Sequence, residues 1–174
     1  MVLLVAFCGV KTKILGAMRE VRTQIEIAAS REEVWEVLTD FARYPEWNPV
    51  IVSVKGELRA GANVDIKIRQ GKLAVPIPCR MHRVEPLHDF RWRGPRNSLM
   101  AKVMGGEHYF SLEPLRSDAG EERCVFVHGE QFRGAVVPLL WPRMKKQLEA
   151  GYSRVNRALK ERVEAAKAKS AAAS

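Results

Sequence analysis

Cysteine is scarce in this chain, with three residues in 174: Cys8, Cys79 and Cys124. They are too few and too scattered for a disulfide framework, and no CxxC pair exists to begin a structural zinc site. A reducing, cytoplasmic setting is the simplest reading of that usage. Nucleophile-elbow, phosphate-loop and HExxH patterns are missing too, so no metal and no cofactor is implied. Aromatic residues make up only 7% and are not interleaved with basic ones as a single-strand binder requires, so no nucleic acid is expected as a partner. The apolar run Val2 to Val10 is too short to span a bilayer. Its charges, Lys11 and Lys13, follow the run instead of preceding it, the wrong order for a secretory signal. Residues 1–17 are therefore expected to be an accessory extension, disordered or added by an upstream start. The domain proper is expected at 18–165, with a flexible basic, Ala-rich tail at 166–174.

What is abundant is positive charge, with 29 Lys and Arg against 20 Asp and Glu. From Arg143 to Lys169 there are nine basic residues against Glu149, Glu161 and Glu164, so about two-thirds of the excess lies in one segment. A stripe of that kind is ordinarily the solvated face of a helix, but it also permits weak association with an anionic membrane surface. A monomer and a homodimer are both compatible with the composition.

The periodicity changes along the chain. Val21, Thr23, Ile25 and Ile27 alternate with polar residues, as in a half-buried strand. Ser30 and Glu33 form a capping box ahead of a short helix reaching about Thr39, and residues 40–49 make a second short helical turn closed by prolines. Six further strands are expected at 50–55, 64–68, 76–85, 90–94, 107–114 and 124–133. Residues 95–106 read as an irregular loop. From Val136 the period becomes helical: Val137, Leu140, Met144, Leu148, Tyr152, Val155, Leu159 and Val163 recur every three or four residues. The fold class expected is α+β. A seven-stranded antiparallel sheet curves around a long C-terminal helix, with two short helices after the first strand, a helix-grip arrangement.

Short motifs carry a family likeness. The segments 34–41 (Val-Trp-Glu-Val-Leu-Thr-Asp-Phe) and 44–49 (Tyr-Pro-Glu-Trp-Asn-Pro) resemble the opening signature of the START-like (SRPBCC) superfamily, the polyketide cyclase/dehydrase and lipid transport family. Val84-Glu85-Pro86 with Arg91-Trp92, the segment 106–110 and the segment 128–134 extend the resemblance over roughly residues 20–163. It implies a hydrophobic ligand held between sheet and helix. It does not separate carriers from enzymes, because one fold hosts both.

Side-chain parity sorts the chemistry. Cys124, Phe126, His128, Glu130 and Phe132 share one face of the last strand, and His108, Phe110 and Leu112 share one face of the strand before it. The aromatic content of these faces points them inward, since leaving each such side chain in water costs ~1.5–3 kcal/mol. A hairpin between these strands then brings His108 near His128 or Glu130, a candidate acid–base site; the plain alternative is a hydrogen-bonded structural cluster. Candidate ligand contacts are Phe90, Trp92, Phe110, Phe126, Phe132, Trp141, Met144 and Tyr152, with Trp47 as a candidate for the cavity mouth. Three functions compete. The first is binding of a lipid, polyketide or similar molecule. The second is a cyclase or dehydratase using His108, His128 and Glu130. The third is docking of the basic helix on a membrane or a partner.

Overall fold

The computed structural model describes residues 18–118 and 120–173. The expected extension at 1–17, with Cys8, lies outside the described residues. The chain runs β1 (Arg19–Ile27), α1 (Arg31–Thr39), a 3-10 turn (Phe41–Arg43) and α2 (Tyr44–Trp47). Then follow β2 (Ile51–Gly56), β3 (Asn63–Gln70), β4 (Leu73–Glu85) and β5 (Asp89–Gly94). Last come α3 (Ser98–Val103), β6 (Gly105–Arg116), β7 (Glu122–Arg133) and α4 (Val137–Ala173). The seven strands form one antiparallel sheet in the order β1-β7-β6-β5-β4-β3-β2. After β1, the chain crosses through α1 and α2 to the opposite edge and then returns strand by strand.

Local chemistry fixes the elements. At α1 the Glu33 N–H donates to Ser30 Oγ at 3.2 Å, and the Ser30 N–H donates to Glu33 Oε2 at 2.7 Å, a complete capping box. Asn48 Oδ1 accepts from the Val50 and Ile51 N–H groups at 3.0 and 2.7 Å, which turns the chain out of α2 into β2. Pro76 and Pro78 sit inside β4. There β4 pairs only with β3, since its pairing with β5 covers Arg80 to Glu85, so no ladder donor is missed.

Two segments differ from the sequence reading. Residues 98–103 form α3 instead of irregular loop, because Asn97 Oδ1 caps the Leu99 and Met100 N–H groups at 3.0 Å each. The tail expected to be flexible from residue 166 continues α4 to Ala173. Alanine-rich sequence favours that continuation, and Lys167 Nζ adds a bond to the Ala28 carbonyl at 3.0 Å.

The apolar stripe of α4 is buried at Val137 and along its second half, but not between them. Tyr152, Val155, Leu159 and Val163 are buried against the sheet and α1, whereas Leu140 is exposed and Met144 and Leu148 are half-buried. The core under the buried half is aromatic. Phe90, Trp92, Phe110 and Phe126 are each at most 2% exposed and pack ring on ring, with centroids 4.8–6.0 Å apart. Among the described residues no helix is long and apolar enough to cross a membrane.

Candidate acid–base site

The register places the polar residues before any side-chain detail is needed. In the β6–β7 ladder His108 lies opposite Glu130 and Phe110 opposite His128, all on the concave face. His108 Nε2 and His128 Nε2 are 2.8 Å apart, and His108 Nδ1 is 3.4 Å from Glu130 Oε2. From α4, the Tyr152 hydroxyl donates a short hydrogen bond to the same Glu130 oxygen. One helical turn on, Asn156 Oδ1 is 2.9 Å from His128 Nδ1. Asn156 Nδ2 donates to Thr23 Oγ1 of β1 at 3.0 Å, and the Thr23 hydroxyl donates to the His128 carbonyl at 3.1 Å.

These contacts assign the protons. The Thr23 hydroxyl proton is committed to the His128 carbonyl, so Thr23 Oγ1 accepts from the Asn156 amide nitrogen. Asn156 therefore turns its oxygen toward His128, whose Nδ1 must donate. Burial, reinforced by His108, holds His128 well below the ordinary imidazole pKa, so this ring is neutral. Its Nε2 is then a lone pair, and His108 Nε2 donates to it. That leaves His108 Nδ1 facing the carboxyl of Glu130. Burial and the Glu130 charge push the Tyr152 hydroxyl well above its usual pKa, so it stays a phenol that donates.

The chain is graded in exposure. The Glu130 side chain is 20% exposed and that of His108 8%, while His128 is fully buried. Aromatic rings hold the orientation. Trp92 stacks on His108 at 5.5 Å, and Tyr152 stacks on His128 at 4.2 Å. Gly106 makes room for the carboxylate, since a Cβ there would lie 2.3 Å from Glu130 Oε1.

The candidate ligand contacts separate into three groups. Phe90, Trp92, Phe110 and Phe126 fill the core beneath the polar chain, so they do not line an open space. Phe132 and Trp141 approach within 6.0 Å, and they lie with half-buried Met144 at the same end of the fold as Glu130. Trp47 does not belong to that end. It packs on Tyr44 at 5.0 Å and lines a groove of about 690 Å³ with Arg162 and Ser170, roughly 30–45 Å along α4 from Trp141 at 1.5 Å per residue. Burial drives the Cys79 thiol up to about 12 with help from Glu130, and drives that of Cys124 up to about 11, so neither is a nucleophile. Among the described residues no cluster of His, Cys, Asp and Glu could hold a metal ion.

The sequence reading missed Asn156, Thr23 and Gly106. Asn156 had a signal: it lies four residues after Tyr152 on an otherwise apolar helix face, where a polar side chain needs a partner. Thr23 carries none that a single sequence reveals, and Gly106 stands out only as the first residue of the 106–110 segment that carries the family resemblance.

The fold and this polar chain define a helix-grip protein with a titratable cluster on its concave face. The chain belongs to the polyketide cyclase / dehydrase and lipid transport family, which matches residues 18–164. Solved structures share the fold at low identity. The Zhui aromatase/cyclase of Streptomyces sp. R1128 is 19% identical, with a TM-score of 0.64 over 85% of this chain and 94% of that one. Norcoclaurine synthase of Thalictrum flavum is 14% identical, with a TM-score of 0.64 over 94% of this chain and 97% of that one. A START superfamily protein of Mycobacterium smegmatis is 20% identical, with a TM-score of 0.65 over 83% of this chain and 97% of that one. Among curated proteins, none matches the chain.

Proposed function

We propose that this protein is an acid–base catalyst of the cyclase or dehydratase type. Its substrate is a hydrophobic carbonyl compound, held at the open end between β5–β7 and the first half of α4. The observation that carries this reading is the chain of contacts Tyr152–Glu130–His108–His128–Asn156, whose most exposed member is the Glu130 carboxyl. The neutral His128 acts on the site through His108, fixing which nitrogen of that ring donates. Glu130, in its deprotonated form, accepts a proton from the carbon next to a carbonyl. The enolate so formed expels a hydroxyl from the β-carbon, and that hydroxyl leaves as water with the proton Glu130 had taken. A C=C bond forms and no oxidant is needed. General acid–base contributions of this kind are worth roughly 10²–10⁴-fold in rate.

Binding without chemistry is the second reading, favoured by the packing of Phe90, Trp92, Phe110 and Phe126, which makes the polar chain a satisfied part of a solid core. Hydrogen–deuterium exchange of an enolisable aromatic ketone, acetylnaphthol in D₂O, separates the two. The catalytic reading expects exchange at the methyl carbon that falls at least ~10²-fold in Glu130→Gln, while tryptophan-quenching titration shows the ketone still bound. Exchange no faster than buffer, with binding intact in both proteins, establishes the carrier.

A further inference from the structure

We propose that the corner formed by α3 and the first turns of α4 docks this protein on an anionic lipid surface. Two short segments meet there: the Ala135 and Val136 N–H groups donate to the carbonyls of Lys102 and Val103 at 3.0 and 3.2 Å. Each segment turns large apolar side chains to water. Leu99 is 70% exposed on α3 and Leu139 is 82% exposed on α4, and Met100, Val103 and Leu140 are exposed beside them. An apolar cluster of this kind on a small domain marks a surface that something else covers.

Charge selects what covers it. Residues 95–106 and 133–148 contain Arg96, Lys102, Arg133, Arg143, Lys145 and Lys146 and no Asp or Glu. Arg96 pairs with Asp65 and Lys145 with Glu149, both outside the two segments. Lys102, Arg143 and Lys146 form no salt bridge with any described residue. A second copy of this chain would set that cationic corner against itself, so self-association through it is disfavoured. Apolar side chains ringed by Lys and Arg fit the headgroup boundary of an anionic bilayer, where the leucines enter and the cations meet phosphate. The corner lies beside a groove of about 230 Å³ lined by Gly94, Gly106, Gln131 and Glu107, whose carboxylate is paired with Arg91 and Arg93, at the sheet end that carries Glu130. Docking would therefore present that end of the sheet to the lipid. The inference concerns binding alone and does not depend on any reaction at Glu130.

The test is sedimentation of the full chain with vesicles of 30% phosphatidylglycerol in phosphatidylcholine, against pure phosphatidylcholine. The expected result is binding to the anionic vesicles that weakens from 50 to 300 mM NaCl. Leu139→Asp and the double variant Lys145→Glu/Lys146→Glu should each reduce it at least tenfold with unchanged circular dichroism. Arg157→Glu, on the exposed face of α4 away from the corner, should leave it within twofold. No binding at 50 mM NaCl overturns the proposal, as does equal loss in Arg157→Glu, which would reduce the effect to the net charge of the helix. A dimer in sedimentation velocity that Leu139→Asp dissociates assigns the corner to a second copy, and also overturns it.

Discussion

Acid should destabilise this fold through His128, and the size of the effect can be worked out. Burial leads the shift that holds the folded His128 pKa well below its unfolded value near 6.5, with His108 second. A depressed folded value means that the unfolded chain takes up a proton the native state refuses. The stabilisation is thus fully present above pH 6.5 and is lost as pH falls toward the folded value. Each pH unit below 6.5 through which the folded ring stays neutral removes about 1.4 kcal/mol from this residue alone. A urea m-value of about 2 kcal/mol/M for a domain of this size turns that into a midpoint shift of roughly 0.7 M per pH unit. The perturbation is His128→Gln, which keeps a polar side chain between Asn156 and His108 while removing the titration. Both proteins are unfolded in urea across the pH range. Carboxylates elsewhere act on both, so the difference between the two pH profiles isolates His128. Below pH 6.5 the parent should lose up to roughly 0.7 M per pH unit more than the variant. Parallel profiles, whatever their absolute offset, would refute the buried neutral imidazole and the proton order built on it.

Further expectations rest on neighbouring residues. Gly106→Ala places a Cβ 2.3 Å from Glu130 Oε1, so the flexible carboxylate must swing off His108 and Tyr152. Losing the charge-assisted Tyr152 bond, worth about 1.5–3 kcal/mol, should outweigh the gain of about 0.4–1 kcal/mol from replacing glycine, giving net destabilisation in urea. A stability equal to the parent's would mean that the carboxylate is not held where the structure puts it. The thiols of Cys79 and Cys124, raised by burial to about 12 and about 11, should resist an aromatic disulfide reagent at pH 8 in the native protein and react after denaturation. Rapid native labelling of both would contradict the packing around them.

Local rules made much of this architecture readable. Alternation located β1, the capping box located α1, and the shift to a helical period located α4, because each is a pattern imposed by residues a few positions apart. The face holding His108, His128 and Glu130 followed from parity, since a period of two leaves a strand only one choice. Long-range geometry was not readable. Asn97 caps α3 with a side chain whose role as a cap or as part of a loop depends on where the chain turns next. Trp47 sits in the segment 44–49 that carries the family resemblance, yet its place along α4 depends on how α2 meets that helix. The expectation of a cavity walled by Phe90, Trp92, Phe110 and Phe126 overlooked a simpler outcome, in which rings on adjacent strands fill the space themselves.

Nitrogen-15 spectra of the histidine rings test the proton chain most directly. At pH 7 the account requires His128 to be neutral with its proton on Nδ1, and His108 to carry a proton on Nε2 with its Nδ1 resonance moved by Glu130→Gln. A charged His128, or one protonated on Nε2, would contradict the hydrogen-bond order from Thr23 to His108.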